Sequence, residues 1–261
     1  MAKVPTMRRF WDLLVVLTDR TLKARYRGSI LGVYWSLLNP ITMTVVYTAI
    51  FGFQFRKYYE GSQLHYALVV FVGLSVFIFF AQSTSQALQS VVVNSGLANK
   101  IRLPAALFPL STISAYSVQL AIGTLPVFAL ITVLETHQPW RLLLLPFPLL
   151  GLVLLSAGVS FLVSTAYVFF RDIPHIWELV TFLAWVASPV FYPAEIVSPK
   201  ILQLLHFNPI FPTIESLRQI IIGPQVPEAS LVAASLFNGI LACALGYFVF
   251  NGLRRQFMDL I

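Results

Sequence analysis

Long apolar stretches separated by short polar segments organise this chain. Six of them predict membrane-spanning helices, because a helix needs roughly 20 mainly apolar residues to cross about 30 Å of hydrocarbon. The strands of a membrane barrel would alternate apolar and polar residues instead, and no such alternation occurs. The pattern therefore predicts an all-α integral membrane protein, with a six-helix transmembrane domain over residues 31–261. The predicted crossings are residues 31–53, 66–83, 104–134, 142–170, 173–192 and 229–253.

A different pattern precedes the first crossing. On a helical wheel at 100° per residue, Phe10, Leu14 and Leu17 share one arc, while charged residues such as Asp12 and Arg20 lie opposite. Over residues 1–30 this predicts an N-terminal amphipathic helix that lies in the membrane interface and contacts membrane lipids. A helix packed on a soluble partner is the alternative interpretation.

Residues 193–228, between the fifth and sixth crossings, are apolar but contain six prolines. Proline lacks a backbone donor and breaks helices, and the apolar pieces at 201–207 and 210–222 are too short to span a bilayer. These residues, named the gate segment, are predicted to form short re-entrant helices on the periplasmic side.

Composition and charge fix the orientation. The chain is 58% hydrophobic and 10% charged, with a net charge of +7. Six crossings place 12 of the 17 Lys and Arg residues on the face that holds both termini, against 5 on the other. The positive-inside rule then predicts cytoplasmic termini. Because the basic residues flank apolar spans, the net charge does not indicate a nucleic-acid partner.

Sites for several kinds of chemistry are missing from the sequence. No Gly-Lys pair is present, so an ATP-binding loop is not expected. The four histidines are scattered and the one cysteine is Cys243, so neither a metal site nor any other cofactor is predicted. Glu178 is the one acidic residue inside a predicted crossing. It either reaches water at the membrane surface or serves a buried structural or coupling role.

Five segments resemble one known family in its own order: LKARYRGSILGVYWSLLNP (22–40), NKIRLPAALFPLS (99–111), FFRDIPHIWELV (169–180), SPVFYP (188–193) and FNPIFPTIESLRQ (207–219). They resemble the permease subunits of polysaccharide ABC exporters, which move O-antigen, capsule or teichoic-acid chains. The resemblance implies a homodimer in a bacterial cytoplasmic membrane, bound to two separate ATP-binding cassette ATPase subunits. A lipid-linked polysaccharide would pass along the dimer interface, and the chain itself would not be an enzyme.

The resemblance also implies a cytoplasmic coupling segment at residues 87–103, seated on the ATPase. Its apolar Val91, Val92 and Val93 are expected to enter a groove on that partner. The candidate coupling residues are Arg25, Arg27, Asn94, Lys100, Arg102, Arg171 and Asp172. A topological role for the arginines, a solvated loop, and an N-terminal helix cap by Asp172 ahead of Pro174 are the alternatives. Gly28 and Gly32 are expected to permit the turn from the amphipathic helix into the membrane.

Aromatic side chains make up 14% of the chain. Sugar rings present flat C–H faces, so an aromatic lining suits a sliding glycan. Interfacial belts and helix packing account for single aromatics equally well. The candidate path residues are Tyr34, Trp35, Phe77, Phe80, Tyr167, Phe170, Trp185, Phe191 and Tyr192, and the candidate gate residues are Pro209, Pro212 and Arg218. A permease for a drug or small lipid, and a membrane-embedded glycan-processing enzyme, are the rival functions.

Overall fold

The computed structural model describes residues 7–97, 103–193, 196–198, 200, 205, 207–254 and 256–257, and these contain helices and turns but no strand. The helices are α1 (Met7–Tyr26), α2 (Trp35–Phe55), α3 (Gln63–Leu88), α4 (Ser90–Val93), α5 (Leu107–Gln119), α6 (Leu125–Thr136), α7 (Pro146–Phe169), α8 (Ile173–Val186), α9 (Phe211–Ile221) and α10 (Ala229–Leu253). A single π-helical turn, Leu120–Thr124, joins α5 to α6. The all-helical prediction is confirmed.

Helix α3 is the central element of the bundle. It packs against α2, α5, α7, α8 and α9, and every residue from Val69 to Phe77 is buried. A helix that is apolar on all sides is stable only where neighbours or lipid cover it fully. Here protein covers it, since 16 of the 26 residues of α3 are buried.

Five helical segments of the described chain are long and apolar enough to span a membrane: Gly32–Tyr58, Gln63–Leu88, Leu107–Thr136, Pro139–Phe169 and Ala229–Leu253. The fifth predicted crossing differs, since α8 has 14 residues, or about 21 Å of helix. The apolar pattern predicts a helix to residue 192, but α8 ends at Val186. Ser188 precedes Pro189, and the residue before a proline is disfavoured in a helix.

Helices α7 and α10 approach each other closely through small residues. A Cβ placed on Gly151 would meet the Oγ atom of Ser235 at 2.5 Å, and one on Gly239 or Gly246 would collide with the backbone of α7. Small residues allow such contact between helix backbones in membranes, where packing rather than hydrophobic exclusion drives association. This pair forms the most extensive helix contact in the described structure.

The amphipathic helix α1 lies across the start of α5. Its buried residues Leu14 and Leu17 pack against Leu107 and Phe108, while its charged residues are exposed. The chain then turns into α2 with φ angles of 78° at Gly28 and 50° at Gly32, conformations that favour glycine. The predicted turn glycines are confirmed. The end of the bundle that carries α1 is named the α1 side, and the other end the opposite side.

The gate segment contains helix α9. Nine of its 11 residues are buried, and it packs against α3, α6, α7 and α10. The first predicted piece, residues 201–207, lies almost entirely outside the described residues. Helix α9 is therefore part of the core on the opposite side rather than a flap on its surface.

Candidate functional site

The α1 side brings several candidate coupling residues together. Arg25 and Asn94 line one open cleft of about 360 Å³, although they lie far apart in the chain. Val91 of α4 packs with the last turns of α7. Because Arg171 and Asp172 directly follow α7 and are exposed, they lie at the same end of the molecule as the cleft.

The exposed side chains on this side differ in their contacts. Arg27 is exposed in the turn after α1. Arg171 lies over the ring of Tyr167, with its guanidinium carbon 5.3 Å from the ring centroid. Asp172 stands at the N-terminus of α8, yet its side chain makes no capping hydrogen bond. Asp172 therefore does not cap α8 through its carboxylate, whereas Pro174 occupies the first turn as predicted.

The predicted coupling segment is only partly accessible. Val91 is 3% exposed, because it packs within its own chain against Phe161 and Phe250. Val93 is 72% exposed. The expectation that Val91 enters a groove on a partner is therefore wrong, whereas the Val93 side chain remains available to one. Two further candidates, Lys100 and Arg102, lie outside the described residues.

Arg25 turns toward the bundle. Its guanidinium carbon lies 4.3 Å from the centroid of the Tyr116 ring on α5, within the range of a cation–π interaction. Tyr116 is buried, so it forms a fixed platform for the arginine. A second cleft, of about 390 Å³, also borders Arg25 and is lined by Trp35 and Gln82. Burial raises the pKa of the neighbouring Tyr26 hydroxyl, which therefore stays neutral at physiological pH.

Toward the opposite side, aromatic side chains form a connected cluster. Phe191 stacks on Tyr47 with ring centroids 4.9 Å apart, and Phe77 meets Trp185 edge-on at 4.9 Å. Trp185 lies 6.2 Å from Phe191, and Tyr192 lies 5.3 Å from Phe191. Four candidate path residues, Phe77, Trp185, Phe191 and Tyr192, are thus brought together where α2, α3 and α8 meet.

The other path candidates are dispersed. Tyr34, Trp35 and Phe170 are 60%, 52% and 67% exposed, and Tyr167 lies beneath Arg171. Phe80 is buried, 6.3 Å from Trp177 of α8. Phe77 is buried as well, so contact between these two phenylalanines and a passing substrate requires α8 to move away from α3.

Arg218, a candidate gate residue, is a buried anchor. Its Nη2 atom donates to the carbonyl of Val190 at 2.8 Å, and its Nε atom donates to the carbonyl of Val69 on α3 at 3.3 Å. The Tyr66 hydroxyl donates to the carbonyl of Phe191 at 2.8 Å. Carbonyls in the turn that follows α8 are thus held by side chains from α3 and α9.

The two candidate gate prolines flank the start of α9. Pro212 is buried in the first turn of the helix, and Pro209 is exposed in the turn before it. Asn208 connects this turn to the end of α8. Its side-chain nitrogen donates to the Ser188 hydroxyl at 2.8 Å, and its side-chain oxygen accepts from the Ile210 amide at 3.0 Å.

A second buried arginine, Arg141, is a site residue that sequence reasoning missed. It is 0% exposed. Its Nη1 atom donates to the carbonyls of Gln219 at 3.1 Å and Gly223 at 2.7 Å, at the C-terminal end of α9, and its Nε atom donates to Gln138 at 2.9 Å. The positive charge of Arg141 at the C-terminal end of α9 also complements the dipole of that helix. In the sequence Arg141 has the same flanking position as a topological charge, so no local pattern distinguishes it.

Comparison with protein families accounts for this arrangement. The profile of the ABC-2 type transporter family matches residues 12–222, a span that runs from within α1 to the end of α9. The chain belongs to the ABC-2 type transporter family. The match covers the clefts, the aromatic cluster and both buried arginines, so this ABC-2 family protein is a multi-pass membrane subunit of a transporter.

Curated relatives align along the whole ABC-2 family chain. An O-antigen export system permease protein, RfbA, from Klebsiella pneumoniae is 28% identical over 256 residues, covering 96% of this chain and 95% of the relative. The protein of the same name from Myxococcus xanthus is 27% identical over 262 residues, covering 99% and 98%. The alignments cover nearly the full length of this ABC-2 protein and of each relative, so the two relatives share one architecture with it.

Helices α2 and α8 of the ABC-2 chain leave wide apolar faces uncovered, and α10 does so as well, with four buried residues among 25. Helix α8 has no buried residue, and Leu179 and Leu183 are each 64% exposed. Helix α2 has three buried residues among 21, with Ile50 64% exposed. Tyr47 of α2 lies 6.2 Å from Trp185 of α8, so these two helices approach each other.

Proposed function

We propose that this chain is the permease subunit of an ATP-driven exporter that moves a lipid-linked polysaccharide of the O-antigen class across the membrane. The observation that carries the proposal is the nearly end-to-end similarity to relatives named as O-antigen export permeases. A polysaccharide is longer than the bilayer is thick, so its permease needs a continuous path rather than one occluded binding site.

The uncovered faces of α2 and α8 support a homodimer that forms this path. Two copies that meet along these helices would enclose the exposed Tyr34 and Trp35 and the edge of the aromatic cluster around Phe191. A path of this kind gives a sugar many weak stacking contacts and few positions at which it binds strongly. In the present conformation Arg218 and Asn208 hold the outer end of α8 against α9, so opening the path involves this junction, with Pro209 and Pro212 at its hinge.

The α1 side supports contact with two ATPase subunits. Exposed side chains on this side are Arg27, Val93, Arg171 and Asp172, and Asn94 lines a cleft there. A partner groove would bind Val93 while the charged residues fix its register. Lys100 and Arg102 belong to the same proposed coupling segment. The basic exposed face of α1 supports a cytoplasmic location for this side in a bacterium, with α1 in the membrane interface.

The proposal is tested by deleting the gene in its own host and measuring surface polysaccharide by electrophoresis and antibody staining. Loss of the surface polymer, with lipid-linked polymer retained inside the cell and export restored by a plasmid copy, is the expected result. Normal surface polymer in the deletion strain, combined with lost efflux of a small amphiphile, would instead assign the chain to drug or lipid export.

A further inference from the structure

The two clefts on the α1 side meet at Arg25, and they lie at the level where a lipid head group sits. The first is lined by Arg20, Arg25 and Asn94, and the second by Arg25, Asn39 and Gln82. Asn39 lies about 6 Å along α2 from its start, and Gln82 about 9 Å from the end of α3. Both clefts are therefore near one surface of the hydrocarbon layer.

The protein itself does not satisfy all the hydrogen-bonding groups that line these clefts. In the described part of the chain, the side-chain amides of Asn39, Gln82 and Gln86 make no hydrogen bond, whereas the nearby Thr42 and Ser36 hydroxyls bond to their own helices. Gln86 is exposed, and Asn39 and Gln82 are partly buried beside the open clefts. These amides are therefore accessible to a polar ligand or to water.

The charge of the clefts has one sign. Arg20 and Arg25 line them, and no carboxylate is among their described lining residues. Arg25 is exposed, and its guanidinium lies over the Tyr116 ring, a contact that favours one orientation of the side chain beside the clefts. Guanidinium groups bind phosphate oxygens through paired hydrogen bonds. The free amides match hydroxyl and ester oxygens next to such a phosphate.

We propose that Arg25, mounted on Tyr116, is the anion-binding residue of a head-group site for a phosphate-bearing lipid, with Gln82, Gln86 and Asn39 as its neutral hydrogen-bonding wall. The site lets such a lipid enter sideways from the leaflet on the α1 side. Its identity as the lipid carrier of the transported chain rests on the proposed function; the site itself does not. This role differs from ATPase coupling, because the Arg25 guanidinium lies over the Tyr116 ring beside the two clefts, whereas Arg171 lies over Tyr167.

The test is native mass spectrometry of the purified full-length chain with farnesyl diphosphate as the probe. Arg25→Gln should weaken binding by roughly tenfold or more, since a hydrogen bond to a charged group has about that effect. Arg25→Lys should fall between, because lysine keeps the charge but not the planar fork. Lys23→Gln removes the same charge from an exposed position paired with Asp19 and should leave binding unchanged.

A second variant keeps the test decisive if Arg25→Gln does not fold. Gln82→Leu leaves the contact between Arg25 and Tyr116 intact and should weaken farnesyl diphosphate binding by about threefold to tenfold, the effect of one neutral hydrogen bond. Equal weakening by Arg25→Gln and Lys23→Gln, or no effect of either Arg25→Gln or Gln82→Leu, would overturn the site.

Two further probes distinguish which kind of phosphate compound the site binds. Dioctanoyl phosphatidylglycerol that binds with the same dependence on Arg25 supports the site as one for resident lipids. Inorganic diphosphate that binds as tightly as farnesyl diphosphate overturns the lipid assignment. The binding assay measures no transport step. If the deletion test shows that the chain does not export polysaccharide while farnesyl diphosphate still binds, only the proposed function fails.

Discussion

Buried arginines on the opposite side hold backbone carbonyls rather than carboxylates. Arg218 joins α9 to α3 and to the turn after α8, and Arg141 holds the C-terminal end of α9. Glu215 is 3.9 Å from Arg218, a weak contact beside the 2.8 Å bond to Val190. Removing one partner of such a bond leaves a buried carbonyl unsatisfied, which costs about 1–3 kcal/mol.

Replacing Arg218 with methionine should therefore destabilise the chain. Two carbonyls lose their donor, so we expect a loss of roughly 2–4 kcal/mol, seen as a lower midpoint of thermal unfolding in detergent. Arg56→Met is the matched control, because Arg56 is exposed and lies over the ring of Phe53 rather than against a carbonyl. Equal midpoints for the two variants would contradict the anchoring role.

Residue roles of this kind are only partly predictable from the sequence. Arg218 stands out within a proline-rich apolar segment, but its carbonyl partners lie 28 and 149 positions away, and no local pattern reveals them. Arg25 lies two residues before Arg27 and both are exposed, yet only the fold shows that the Arg25 guanidinium lies over Tyr116. Sequence spacing locates the charges, and tertiary contacts separate their roles.

At the level of helices, the length of an apolar stretch predicts where a long crossing lies, but it predicts the ends of that crossing less accurately. The sequence does not distinguish a helix covered by protein, such as α3, from one facing outward, such as α2, because both are uniformly apolar. It overestimates the short α8 for the same reason: Phe191 and Tyr192 continue the apolar run after the break at Pro189. The contact between α7 and α10 has a sequence signal, since Ser235, Gly239 and Gly246 follow helical spacing, but their partners on α7 emerge only from the fold.

The contact between α7 and α10 gives a direct prediction. Gly239→Leu forces a side chain into the backbone of Gly151, so the helices must separate, at a cost of about 1–3 kcal/mol. We expect a lower unfolding midpoint and a broader size-exclusion peak. Gly252→Leu, on the same helix with open space at its Cβ position, should behave like the natural chain. Tolerance of both substitutions would show that the close packing is absent in the membrane.

At the level of the whole molecule, the uncovered apolar faces of α2 and α8 are the ones that the proposed exporter uses. Lipid covers these faces in a monomer, and a second copy covers them in the proposed dimer. In that proposal the covered core helices α3 and α9 form a frame against which α8 moves when the aromatic cluster opens.

Site-specific crosslinking in native membranes distinguishes lipid from a second copy. In a Cys243→Ser background, Leu183→Cys should give a dimer with a short bis-maleimide, because Leu183 lies on the proposed interface. Phe248→Cys, at a position 78% exposed on α10, should remain monomeric, since α10 lies outside that interface. The reverse pattern would move the dimer interface to α10, and dimers from both positions would indicate random collision.

The most direct test of the central claim is transport by the purified system. The chain is co-purified with its ATPase, reconstituted in vesicles, and supplied with radiolabelled lipid-linked polysaccharide on the ATPase side. We predict ATP-dependent transfer of the label to the other side, abolished when the catalytic residues of the ATPase are replaced. Transfer that proceeds without ATP, or ATP hydrolysis by a stable complex that moves a small amphiphile but no polysaccharide, would contradict the account.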